Sequence, residues 1–197
     1  MNRNGQDGGF WVFGYGSLMW KPEFDVAEAR LARLDGYHRS FALSSVHYRG
    51  TTAFPGLVLG LDWCPGASCT GMALRIGPEG ADAVRHYLAE RELVSRAYFE
   101  VLHAVTLLCP GGANSPAVGD SVDAICYIVD RTHPQYAGGM ELEEKAAIIG
   151  KAHGPSGSNR DYLFNTAAHL RELGIEDDEL SVLEQMVRAG MQSGPLR

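Results

Sequence analysis

Phe10-Trp11-Val12-Phe13 runs without a polar residue into Gly14-Tyr15-Gly16-Ser17-Leu18-Met19. An apolar, aromatic-rich run of this length reads as a strand, and the glycine-flanked segment behind it reads as a turn. Glycines there let a ligand approach the main chain closely. Successive exposed N–H groups in such a turn can bind an anion such as a carboxylate. The pattern is not the dinucleotide fingerprint, because Met19 stands where the third glycine would fall and no helix pattern follows. By itself the segment fits a tight turn without a ligand as well as it fits a binding site.

Downstream, residues 40–46, 57–62, 70–76, 98–108 and 121–129 are strand-like, rich in β-branched, aromatic or aliphatic residues and bounded by Gly, Pro, Asp or Asn. Helical periodicity marks 79–94, with Ala81, Val84, Tyr87 and Leu88 at helix spacing. It also marks 159–173, with Ser158 or Asn159 as N-cap and Gly174 as stop. A third helix is expected over 176–189, closing before Gly190, because its acidic start suits the positive end of a helix dipole. A shorter one is expected over 141–149. Strands precede helices without regular alternation, which argues against a doubly wound parallel sheet. The expectation is an α+β chain with a mainly antiparallel, barrel-like sheet. Residues 111–119 and 133–139 read as loops. One domain is expected over 10–190, with a disordered lead at 1–9 and a tail at 191–197.

The chain has 197 residues, enough for one sizeable domain. Its formal net charge of −7 gives no basic footprint for a phosphate backbone, so nucleic acid is not an expected partner. An acidic surface gives no general help in capturing a small anion. Such a site must use local backbone dipoles or one or two placed cations. Residues 1–9 have no apolar core of a signal peptide, and no apolar run approaches a membrane span. No membrane association is expected, and a cytoplasmic location is the default. Cys64, Cys69, Cys109 and Cys126 form no C-x-x-C pair and read as reduced, core-filling thiols. The seven histidines lack metal-site spacing, so no metal site is expected. Ser17 is not in G-x-S-x-G, and no P-loop is present.

Two further segments can carry chemistry. In Tyr87-Leu88-Ala89-Glu90-Arg91-Glu92-Leu93, a helical wheel puts Arg91 near the middle of the face defined by Val84, Tyr87 and Leu88. Glu92 falls at its flank and Glu90 points away. This fits a structural ion pair of Arg91 with either glutamate. It fits equally a carboxylate at a cleft wall, its proton affinity tuned by partial burial for acid–base work. Gly154-Pro155-Ser156-Gly157-Ser158-Asn159-Arg160-Asp161-Tyr162-Leu163 feeds a loop into a helix start. That arrangement is either a capped helix or an anion site that Arg160 and Tyr162 can reach.

Taken together, five blocks resemble the ChaC family of γ-glutamylcyclotransferases, in the family's order. They are Val12 to Trp20, Gly36 to Phe41, Pro55 to Leu61 with Cys69 to Ala73, Tyr87-Leu88 with Arg91-Glu92, and Gly154 to Asn159 with Asp161-Tyr162-Leu163. They cover most of residues 11–173. The stretch Leu93-Val94-Ser95-Arg96-Ala97-Tyr98 lacks the Gly-Gly-Tyr of animal relatives and looks closer to bacterial members. The resemblance implies a small β-barrel flanked by helices. It also implies a pocket lined by Tyr15, Gly16, Ser17 and Leu18, and a catalytic glutamate that maps onto Glu92. Arg39 and Tyr162 are substrate-contact candidates from family position. The implied reaction releases 5-oxoproline from glutathione, a small-molecule substrate, with no cofactor. The alternatives are the same chemistry on other γ-glutamyl amino acids or amines, and a non-catalytic γ-glutamyl-binding or regulatory role. The oligomeric state is not legible.

Overall fold

The structure, a computed structural model, describes residues 8–112 and 115–192. Residues 1–7 of the expected lead and 193–197 of the expected tail lie outside the described residues. Five strands form a closed barrel in the order β1-β3-β2-β4-β5. They are β1 (Phe10–Gly14), β2 (Glu28–Ser45), β3 (Gly56–Ile76), β4 (Tyr98–Leu107) and β5 (Ser121–Val129). The β1–β3 ladder, from Phe10↔Ile76 to Gly14↔Met72, is antiparallel, as is β4–β5. Closure is parallel, through β1 and β5 at Trp11↔Ala124 and Val12↔Ile125. The sheet is therefore mixed, with antiparallel pairing dominant. The remaining elements are helices α1 (Ala81–Glu92), α2 (Leu142–Lys151), α3 (Asn159–Glu172) and α4 (Asp178–Gln192), and the two-residue strands β6 (His153–Gly154) and β7 (Gly157–Ser158).

Contacts group the chain into two compact units. One holds the residues up to Arg39 and Leu61–Asp130; the other holds Ser40–Gly60 and the residues from Arg131 onward. The first unit is built around Val12, Leu18, Leu74, Ile76, Val84, Leu88, Ile125 and Tyr127. Helix α1 contributes Ala81, Val84 and Leu88, the three, four and seven spacing of one apolar stripe. Full burial of a leucine such as Leu88 contributes roughly 1.5–3 kcal/mol. Opposite the end of β1, a Cβ on Gly71 would lie 2.4 Å from the Gly14 carbonyl oxygen and 2.9 Å from the Phe13 ring. Only glycine lets β3 pass this close to the start of the turn.

In the second unit α2, α3 and α4 pack on one another. Glu141 and Glu144 form a reciprocal cap at the start of α2. The Ser158 side chain caps α3 by accepting from the Asp161 amide at 3.1 Å. Asn159 is fully buried and spends both ends of its amide on one residue, accepting from Leu57 N (2.6 Å) and donating to Leu57 O (2.7 Å). Glu184 on α4 receives Arg171 from α3 at 2.6 Å and Arg188 at 2.8 Å. Burial pushes the Glu184 carboxyl up, but the two guanidinium groups outweigh it and hold the group below its ordinary value. A depressed folded value means that the contribution to stability is present above the unfolded value and is lost as pH falls through the folded one. Glu184→Gln is expected to cost about 1–2 kcal/mol at pH 7, since both arginine partners are more than half exposed. The deficit should shrink in acid, as chemical denaturation at the two pH values will show.

The main departures from the sequence reading lie in β3, β2 and α4. Residues 57–62 and 70–76 join in one strand, β3, that continues through Pro65 and Gly66. The break signal is absorbed there because Gly66 takes a positive φ of 84° on an exposed stretch. Strand β2 begins at Glu28, twelve residues before the expected start. Its first half alternates inward Arg30, Ala32 and Leu34 with outward Ala29, Arg33 and Asp35, and the buried arginine hides the apolar pattern. Helix α4 passes through Gly190 to Gln192.

Candidate active site

All of the Tyr15–Leu18 turn, Arg39 and Glu92 lie in the first unit. The turn leaves β1 at Gly14 and closes as a single 3₁₀ turn over Ser17–Met19, where the Met19 amide donates to Gly16 O at 2.9 Å. The Ser17 and Leu18 amides come before that first bond and have no acceptor within the turn, as at any helical start. Leu18 is buried in the core and anchors the turn from below.

Arg39 supports the same turn from β2. Its side chain is only 4% exposed. Nε donates to the Tyr15 carbonyl at 2.5 Å and Nη2 to the Thr70 carbonyl at 2.6 Å. The guanidinium therefore ties the turn to β3.

Glu92 is the last residue of α1, and its side chain is 18% exposed, neither sealed in the core nor in bulk solvent. Its Oε1 lies 3.1 Å from Arg91 Nε. Arg91 Nη2 in turn donates to Ser17 Oγ at 2.8 Å. One guanidinium thus connects the carboxylate to the glycine turn. The third edge of Arg91, Nη1, donates to Tyr87 Oη (2.8 Å) and Lys21 O (3.1 Å). Glu90 points outward and pairs with His86 at 3.2 Å. Of the two glutamates open from the sequence, Glu92 is the one beside the turn.

Burial pushes the Glu92 carboxyl above the ordinary carboxylate range, opposed by the Arg91 cation and its hydrogen bond. A raised proton affinity suits a group that must both take and return a proton near neutrality. Tyr127 on β5 also feels the Glu92 charge. It is 1% exposed, and burial and the carboxylates of Glu100 and Glu92 raise its phenol. Tyr127 Oη donates to Glu100 Oε2 at 3.0 Å across the β4–β5 ladder. The sequence reading missed Tyr127; its only signal was an aromatic on a strand whose apolar run gave no hint of which face met the site.

Tyr162 belongs to the second unit. There it is buried against Phe41, edge to face with ring centroids 5.9 Å apart, and Arg49 stacks 5.0 Å above its ring. Arg160, on the first turn of α3, is close to Asp161 at 4.0 Å. Among the described residues, no group of three or more His, Cys, Asp or Glu can share a metal ion. No helix among them is long and apolar enough to cross a membrane. Cys69 and Cys126 are buried and all four cysteines are unbridged, with burial pushing the Cys126 thiol up to about 12.

A closed five-stranded barrel with a glycine turn at the end of its first strand, and a half-buried glutamate tied to that turn, defines a γ-glutamylcyclotransferase-like protein. The fold matches the crystal structure of a γ-glutamyl cyclotransferase specific to glutathione from yeast, with a TM-score of 0.82 and 27% identity, over 92% of this chain and 96% of that one. The profile of the ChaC-like protein family matches residues 10–190, and the chain belongs to that family. A glutathione-specific γ-glutamylcyclotransferase of Escherichia coli is 35% identical over 177 residues, 90% of this chain and 72% of that protein. Its namesake in Schizosaccharomyces pombe is 36% identical over 94% of this chain and 96% of its own.

Proposed function

We propose that the protein is a glutathione-specific γ-glutamylcyclotransferase that converts glutathione to 5-oxoproline and Cys-Gly, with Glu92 as the proton-transfer group. The observation that carries this reading is the Arg91 guanidinium, which bonds both Ser17 Oγ (2.8 Å) and Glu92 Oε1 (3.1 Å). It puts the carboxylate and the turn at one place. The Ser17 and Leu18 amides receive an anionic oxygen of the γ-glutamyl group. Glu92 takes a proton from the α-ammonium, and the freed amine attacks its own γ-carbonyl. A C–N bond forms within the glutamyl group, the γ-amide C–N bond breaks, and Glu92 returns the proton to the leaving amine of Cys-Gly. The ring nitrogen sheds its second proton as it becomes the lactam N–H, and that proton completes the Cys-Gly ammonium. No water is consumed. The attack is intramolecular, so the protein contributes chiefly by holding a folded conformer and placing the base.

The family relationship extends over nearly the whole chain, and the relatives' names supply the leaving group. The test is a substrate panel. Purified protein is offered glutathione, γ-glutamylalanine and γ-glutamyl-ε-lysine, and kcat/KM for 5-oxoproline release is compared. Glutathione is expected to exceed both alternatives by at least about tenfold, the discrimination that one or two well-made polar contacts to Cys-Gly provide. Equal turnover of all three would limit the assignment to the γ-glutamyl end.

A further inference from the structure

We propose that Arg91 is a positioning residue for the cyclisation, fixing the Glu92 carboxylate and the Ser17 hydroxyl in one arrangement and turning the Ser17 proton towards the bound γ-glutamyl group. This rests on the function proposed above and assigns a residue that the reaction scheme alone does not require.

The case is one of donors and acceptors. Arginine has five N–H donors in a rigid planar fork and no acceptor. Nε faces Glu92 Oε1 at 3.1 Å, Nη2 donates to Ser17 Oγ at 2.8 Å, and Nη1 donates to Tyr87 Oη at 2.8 Å and Lys21 O at 3.1 Å. Every contact at Arg91 therefore runs outward from it. Ser17 Oγ must accept, so its own proton points away from Arg91. Tyr87 obeys the same rule, accepting from Arg91 and passing its proton to Glu23 Oε2 at 2.8 Å. Among the described residues, no carboxylate takes the Ser17 proton in this way. Ser17 lies in the turn whose Ser17 and Leu18 amides have no acceptor within it, which makes its hydroxyl a third donor beside those two. An oxygen of the γ-glutamyl group that gains charge as the amine attacks is the acceptor this set suits.

Arg91 also biases Glu92 towards its ionised, proton-accepting form. The other charged or titratable groups around the pair are Lys21 and Glu23 before β2, Tyr87 on α1, Tyr127 on β5, and Glu100 on β4 with Arg85 acting on Tyr127. Arg91 is the cation in contact with both Glu92 and Ser17. At 20% side-chain exposure it is screened far less than a surface arginine.

The test compares wild type, Arg91→Met, Arg91→Lys, Ser17→Ala and the Ser17→Ala/Arg91→Met double variant over a pH series, reading kcat and kcat/KM for 5-oxoproline release. Arg91→Met is expected to lose about 10- to 100-fold in kcat, the worth of a hydrogen bond to a charged group. The acid limb of its kcat/KM profile should move to higher pH, because Glu92 without the cation holds its proton more tightly. Arg91→Lys keeps the charge and loses the fork. Its acid limb should stay near that of wild type while kcat falls, and it serves in place of Arg91→Met if that variant does not fold. The double variant should lose less than the product of the two single losses, since Arg91 acts partly through Ser17. An active wild type whose Arg91 variants keep its kcat and its acid limb, or whose Ser17→Ala and Arg91→Met losses multiply in full, overturns this proposal alone. A wild-type protein inactive on every γ-glutamyl compound overturns it together with the functional reading.

Discussion

Glu92→Gln is expected to release 5-oxoproline about 10²–10⁴-fold more slowly than wild type while folding as well as wild type. The glutamine keeps the size and the acceptor oxygen that faces Arg91, so the guanidinium keeps a partner at the position it now holds 3.1 Å away. What is lost is the proton relay. The stability side follows from linkage. Burial makes the folded state bind the Glu92 proton more tightly than the unfolded state does. A raised carboxyl value means that ionisation works against folding as pH rises past the ordinary carboxylate range, with the full cost above the folded value. A neutral glutamine does not carry that cost. Thermal melts at pH 7 are therefore expected to place Glu92→Gln level with wild type or above it. A group that lowers stability and yet supports activity has the signature of a functional residue. A variant that is both unstable and slow would instead make Glu92 a structural partner of Arg91.

Arg39→Met is expected to act in the opposite sense, on folding first. The guanidinium is buried and holds the carbonyls of Tyr15 and Thr70. Methionine fills much of the volume of the stem but donates nothing, leaving the buried Tyr15 carbonyl and the partly buried Thr70 carbonyl without those donors. Each such group costs about 1–3 kcal/mol, so the loss should total roughly 2–5 kcal/mol by chemical denaturation. Arg39→Lys should recover part of it, since an ammonium can reach one carbonyl but lacks the fork that spans both. If Arg39→Met kept its denaturation midpoint and only raised KM for glutathione, Arg39 would be a direct contact to substrate and not a prop beneath the turn.

The contrast between these two residues shows what the amino-acid sequence could convey. The apolar run into Gly14-Tyr15-Gly16-Ser17 announced both the first strand and the turn, because glycine spacing and apolar runs are local properties. The ends of α3 were equally local: of the two N-cap candidates Ser158 is the one that caps it, and Gly174 follows its last turn at a φ of 69°. The helical wheel gave the inward bias of Arg91 and the flank position of Glu92. It could not choose between Glu90 and Glu92 as the partner of Arg91, because that depends on the turn of another strand arriving at Arg91 Nη2. Arg39 was legible only through resemblance, since its bonds to residues 24 and 31 positions away have no trace in spacing. Arg30 misled the reading of β2 for a related reason. A buried arginine satisfied by the carbonyls of Cys109 and Pro116 looks, in sequence, like a surface charge that ends a strand. Parallel closure of the barrel through β1 and β5 was likewise invisible, being a pairing between the two ends of the sheet's run along the chain.

The most direct test of intramolecular cyclisation is product analysis of glutathione turnover in ¹⁸O-labelled water. Equal amounts of 5-oxoproline and Cys-Gly, with no label in the 5-oxoproline, are predicted. Free glutamate carrying ¹⁸O in its γ-carboxylate would mean that water, and not the substrate's own amine, attacks the γ-carbonyl, and would contradict the account.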